Sequence, residues 1–180
     1  MNEVQLIRAQ LSLERQHTAE VVRTCAAALT GFSPERQAAV EGFRQTAVEY
    51  LAWALSRFEE RDQVFRDLLR KRFAAEDPDR RAAEAALALP GSSREALTNL
   101  ETALGGANAS AWSDFLRFFG GAWSTRRDEV DRLFERQAKV TDWRTVSGID
   151  ADSIVNERGR YARVKATLPA GIEISLATRT

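Results

Sequence analysis

The chain has 180 residues, enough for one full hydrophobic core or for one domain with an appendage. Charge is balanced at 26 basic and 26 acidic residues, with no run of Lys or Arg along one face, which argues against nucleic acid as a partner. A single cysteine and a single histidine exclude internal disulfides and thiolate metal clusters and leave little material for a catalytic triad.

The opening stretch MNEVQLIRAQ lacks the basic-then-apolar layout of a signal peptide. No apolar run approaches the roughly 18 residues that span a bilayer, so a cytoplasmic protein without membrane contact is expected. From residue 3 to Leu29, the apolar residues Val4, Ile7, Leu11, Val21, Cys25 and Leu29 recur at helical spacing and Gly31 supplies a stop. Glu14, His17 and Thr18 interrupt that stripe, which places a polar layer toward the core. Cys25, beside Val21, Val22 and Leu29, reads as a small core residue rather than a nucleophile.

Ser33-Pro34 is an N-cap followed by proline at the first helical position, and the helix it opens runs to about Ala75. Its stripe is Phe43, Ala47, Leu51, Ala54, Phe58, Phe65 and Leu69. Asp77-Pro78 starts a short helix to about Leu89, PGSS breaks it, and Ser92 with Glu95 forms a capping box for a helix through Leu104. Ser110 caps a fourth long helix from Ala111 to about Val140, with Phe115, Phe119, Val130, Leu133 and Val140 facing inward. Gly120-Gly121 within it costs about 1 kcal/mol per glycine against alanine, so a kink or a close helix contact is expected there.

Short helical turns follow at Thr141-Asp142-Trp143 and from about Asp150 to Glu157, separated by Gly148. After Gly159 the period changes to two: Ala162, Val164, Ala166 and Leu168 alternate with polar residues, Pro169-Ala170-Gly171 turns, and Ile172, Ile174 and Leu176 alternate again. That pattern predicts a β-hairpin. A lone hairpin is marginal in water, so its apolar face must pack on the helices or pair with another chain. The expected fold is mainly α: a four-helix up-down bundle over residues 1–146, with a short helical turn and C-terminal β-hairpin over 147–180.

Two ten-residue segments agree closely. SRFEERDQVF, Ser56 to Phe65, aligns with TRRDEVDRLF, Thr125 to Phe134, placing Arg57 over Arg126, Glu60 over Glu129 and Asp62 over Asp131. Each follows an Ala-Trp pair, Ala52-Trp53 and Ala122-Trp123. Such internal similarity suggests two halves built alike.

Helices with an acid pair followed by an aliphatic residue and Phe, and a later Asp142-Trp143, resemble hemerythrin-like domains, four-helix bundles that hold a non-haem di-iron centre. The resemblance covers about residues 5 to 146. It implies that Glu60 and Glu129 match the family's glutamates and that His17 matches its first histidine. Ser56 and Thr125 stand where two further histidines would be, and no match for the histidine of the third helix is found. Hydroxyl oxygens bind iron far less well than imidazole. The resemblance therefore implies a degenerate member that kept the bundle and lost the metal.

The function expected on these grounds is a non-catalytic accessory or regulatory binding protein that needs no cofactor. Its partner is another protein, and self-association into a homo-oligomer fits as well. The partner-binding residues are either the hairpin edge with Ile172 and Ile174, or an exposed aromatic patch of Trp112, Phe115, Phe118, Phe119 and Trp123. One alternative is a carboxylate-rich Fe or Mn centre with an oxidase or oxygen-sensing role, built from Glu14, His17, Glu60 and Glu129. Glu14-x-x-His17 has the spacing by which ferritin-like bundles present a carboxylate and an imidazole from one helix. A further alternative is a pocket for an apolar ligand or cofactor between the helices.

Overall fold

A computed structural model describes residues 2–28, 37–88, 91–105 and 109–172. All regular secondary structure among them is helical. The chain packs as two compact units, Met1–Ala54 with Ile149–Thr180, and Leu55–Gly148. The division falls within one helix, and the segment after Gly148 belongs to the first unit rather than forming the appendage expected from residue 147.

The first unit contains α1 (Glu3–Ala28), the part of α2 (Gln37–Arg72) up to Ala54, and α8 (Ala151–Ala166). The buried face of α1 runs Ile7, Gln10, Glu14, Thr18, Val21, Cys25 and Ala28, steps of three and four that follow one helix stripe. Its middle is polar, as the interrupted pattern predicts. From α2 come Val40, Phe43, Ala47, Tyr50, Leu51 and Ala54.

The expected hairpin is replaced by α8 and a turn. Asp150 opens the helix: its carboxylate accepts from the Ser153 N–H at 2.7 Å, and the Asp150 N–H donates to Ser153 Oγ at 2.9 Å, a reciprocal cap that satisfies two N-terminal donors. The residues α8 buries are Ser153, Glu157 and Val164, with Tyr161 half-buried between them. That stripe has helical spacing but is mostly polar, so it leaves no hydrophobic trace. The alternation at Ala162, Val164, Ala166 and Leu168 is incidental, because only Val164 of the four is buried. The turn at Pro169–Gly171 does form, with the Ile172 N–H on the Pro169 carbonyl at 3.1 Å and Gly171 at φ +83°. The intended second strand beyond Ile172 lies outside the described residues.

The second unit comprises the rest of α2, α3 (Pro78–Ala86), α4 (Ser93–Gly105), α5 (Ala109–Phe118), a π-helical turn (Phe119–Trp123), α6 (Ser124–Gln137) and α7 (Val140–Ser147). Asp77 caps α3 by accepting from the Asp79 N–H at 2.8 Å. Ser92 Oγ accepts from the Glu95 N–H at 3.1 Å, while Glu95 reaches back to the Gly91 N–H at 2.6 Å. The irregularity expected at Gly120-Gly121 is the π turn, and neither glycine has any neighbour within 4 Å of an added Cβ. The close approach belongs instead to Gly91, at φ +88°, where a Cβ would stand 2.8 Å from the Ala122 carbonyl oxygen.

The π turn also settles where the aromatic rings go. In an α-helix a residue four positions on overshoots a full turn by about 40°, and a wider turn removes most of that drift. Phe115, Phe119 and Trp123 consequently share one buried face, with Phe119 and Trp123 stacked at 4.2 Å between centroids. Trp112 is buried too, stacked on Phe115 at 5.2 Å. Trp112, Phe115, Phe119 and Trp123 of the exposed aromatic patch expected from sequence are therefore core, and Phe118 of that patch is half-buried. No described helix is long and apolar enough to cross a membrane.

Candidate functional site

The first unit concentrates its polar chemistry in one buried network. α1 supplies His17 and Glu20, α2 supplies Tyr50, and α8 supplies Glu157 and Tyr161. His17 Nδ1 lies 2.7 Å from Glu157 Oε1, and the Tyr50 hydroxyl donates to the same oxygen at 3.0 Å. Glu157 is fully buried and the His17 side chain is 13% exposed. The His17 ring stacks on Tyr161, centroids 3.7 Å apart, and the Tyr161 hydroxyl donates to Glu20 Oε2. Glu20 accepts a second bond from the Gln16 amide at 2.8 Å. Burial, reinforced by Glu157, pushes the Tyr50 hydroxyl well above the usual tyrosine range. Burial and the bond to Glu20 do the same to Tyr161.

This network ties α1, α2 and α8 together through charge-assisted hydrogen bonds. The cleft beside it, lined by Thr46, Glu49, Tyr50, Arg160 and Arg163, has a volume of about 10 Å³, room for about one water. Cys25 is likewise enclosed, and burial pushes its thiol up to about 12, so the nucleophilic thiolate is suppressed at neutral pH.

In the second unit the two similar segments face each other. Arg127 donates to Asp62 at 2.7 Å and to Asp131 at 2.8 Å, and its guanidinium lies 5.6 Å from the centre of the Phe58 ring. Burial alone would lower the Arg127 pKa, but the two carboxylates carry it above the ordinary value, and the group stays charged. Burial pushes the Asp62 carboxyl up, against the pull of Arg127.

Four further arginines of α2 close helix ends. Arg57 donates to the Gly148 carbonyl at 2.9 Å and Arg61 to the Ser147 carbonyl at 2.7 Å, both at the end of α7. Arg66 donates to the Leu87 carbonyl after α3 at 2.7 Å, and Arg72 to the Gln137 carbonyl ending α6 at 2.8 Å. Each satisfies a carbonyl that has no partner within its own helix, at the negative end of the helix dipole.

Of the metal ligands expected under the Fe or Mn alternative, Glu14 is buried and His17 nearly so, whereas Glu60 and Glu129 are exposed on α2 and α6. Glu129 pairs with Arg126 at 2.9 Å. Among the described residues no three His, Cys, Asp or Glu side chains form a group able to hold a metal ion. The donor set does not fit a di-iron or manganese centre. Of the hairpin residues, Ile172 is partly buried in the turn after α8, and Ile174 lies outside the described residues.

Glu157, Tyr50, Tyr161 and Arg127 were not singled out from sequence. Only Tyr50 carried a signal there, as a polar-tipped aromatic beside the apolar stripe of the second helix.

Open clefts occur on the second unit. One of about 400 Å³ lies between α3 and α6, lined by Ala82, Ala85, Ala86, Leu133, Arg126, Glu129, Arg132 and Arg136. Another of about 570 Å³ lies between α4 and α5, where Phe115 and Phe118 meet Asn99 and Thr102. No family model, curated protein or solved structure matches the chain.

Proposed function

We propose that the chain is a non-catalytic binding protein of the cytoplasm, acting through the helical surface of its second unit. One contrast carries this reading. The groups capable of chemistry, Cys25, His17, Glu157 and the two tyrosines, are enclosed in helix packing, and the cleft that Tyr50 lines has a volume of about 10 Å³, while clefts of about 400 and 570 Å³ open between helices of the second unit. A catalytic pocket brings groups able to act as nucleophile or general base to its cavity; here the larger clefts are lined by arginines, carboxylates and apolar side chains, and none of His17, Glu157 and Cys25 lines them.

The same reading treats the chain as a hemerythrin-like bundle that has lost its metal site. Hydroxyls at Ser56 and Thr125 and the exposure of Glu60 and Glu129 support the loss of the metal site, while the kinship is drawn from the sequence resemblance. A second reading, an apolar small ligand, draws support from the α4–α5 cleft with its two phenylalanines. Native mass spectrometry of freshly purified protein would report such a ligand as added mass.

The test of the main reading combines size and metal content. Gel filtration of fresh lysate is expected to place the chain in a species heavier than the purified protein, and protein purified without chelator is expected to hold far less than one iron or manganese per chain. Identical elution in both samples, or stoichiometric metal lost on Glu14→Ala, would overturn it.

A further inference from the structure

We infer that the α3–α6 cleft receives an acidic peptide segment of a partner protein, one with Asp or Glu beside small apolar residues. This inference rests on the binding reading above and names the class of occupant.

The floor of the cleft is Ala82, Ala85 and Ala86 of α3, with Leu133 of α6 at its base. Ala82 and Ala85 are exposed and Leu133 is buried. Short side chains on α3 leave a shelf against which another chain can lie closely, and the apolar floor supplies surface to bury.

The rim is cationic. Arg126, Arg132 and Arg136 line it against one carboxylate, Glu129, which is already paired with Arg126 at 2.9 Å. Arg132 and Arg136 are both exposed and stand one helical turn apart, where like charges repel. An anion between them relieves that repulsion. The Nε of Arg132 donates to the Asp128 carbonyl at 3.1 Å, which steadies the guanidinium beside the cleft that it lines. Paired N–H donors on a planar group match a carboxylate. A bare phosphate would use the rim but not the alanine floor, so floor and rim together favour a peptide.

The test is fluorescence anisotropy with the full chain and a fluorescein-labelled peptide of Glu, Asp, Ala and Leu. A peptide with Lys in place of the acids serves as control, and inorganic phosphate as competitor. Arg132→Glu with Arg136→Glu, and separately Ala85→Gln, which fills the floor without adding charge, are each expected to weaken binding by at least about tenfold, with weaker binding at higher salt. These positions are exposed, so unchanged melting temperatures are expected to confirm that the variants fold. Affinity unchanged in both variants, equal binding of the Lys peptide, or displacement by phosphate at matched charge would overturn the proposal. Loss of peptide binding in the parent chain while the heavy lysate species persists would overturn this occupant and leave the binding reading standing.

Discussion

Phe65 and Phe134, which close the two similar ten-residue segments, meet edge to face with their centroids 5.0 Å apart. One heptad earlier Phe58 lies under Arg127, its counterpart in the second segment, and between these levels Asp62 and Asp131 share that arginine. Contacts rise together along α2 and α6, so the segments run side by side in the same direction and in register. The internal similarity is thus a packing rule in which equivalent positions meet. Phe65→Ala is expected to cost about 3–5 kcal/mol, and a double-mutant cycle with Phe134→Ala should show coupling of about 0.5–1.5 kcal/mol. Denaturant unfolding measures both; strict additivity would mean that the rings do not interact.

Arg127 is the common partner of two acids, and the acids differ in exposure. Asp62 is buried, whereas the Asp131 side chain is 47% exposed. Arg127→Met strands Asp62 inside the core and is expected to cost about 3–5 kcal/mol. Asp131→Asn should cost less than about 1 kcal/mol because solvent screens that pair. Chemical denaturation of the two variants checks the order, and equal losses would contradict this account.

The glycines separate in the same way. Gly91→Ala meets both a left-handed backbone and the Ala122 carbonyl, so a loss of about 1–3 kcal/mol is expected. Gly121→Ala meets nothing within 4 Å and should be neutral or add up to about 1 kcal/mol. Melting curves of the two variants should shift in opposite directions or leave Gly121→Ala unmoved.

Alkaline pH tests the buried network of the first unit. Tyr50 and Tyr161, the chain's two tyrosines, both have raised pKa values in the fold. The folded state holds these protons where the unfolded chain releases them, near about pH 10. Their contribution to stability is fully present below that value and is lost as pH rises above it. Unfolding midpoints should fall between about pH 9 and about pH 11, with tyrosinate absorbance appearing only as the protein unfolds. In the same samples Cys25 should react with thiol reagents only on unfolding, since burial keeps its thiol protonated.

Much of the helical framework was legible because local chemistry writes it. Asp77, Ser92 and Glu95 cap where expected, and the polar interruption at Glu14, His17 and Thr18 marked a buried polar layer. The hairpin failed because the face α8 buries is Ser153, Glu157, Tyr161 and Val164. A polar stripe carries no hydrophobic period, and an accidental alternation stood in its place. The rings expected as a patch lie mostly inside because the π turn widens the buried face that Phe115, Phe119 and Trp123 share. Tyr50 and Glu157 are separated by 107 positions, and no spacing rule links residues that far apart. The four arginines of α2 that close other helices went unread for the same reason, since their partners are backbone carbonyls.

The most direct test of the binding account is photo-crosslinking in living cells with a benzophenone amino acid placed singly at Arg132, at Phe118 and at Val155. The first two positions border the clefts of the second unit, and Val155 is exposed on α8. The account predicts a discrete heavier adduct from Arg132 or Phe118 and none from Val155. Adducts from Val155 alone, or from no position, would contradict it.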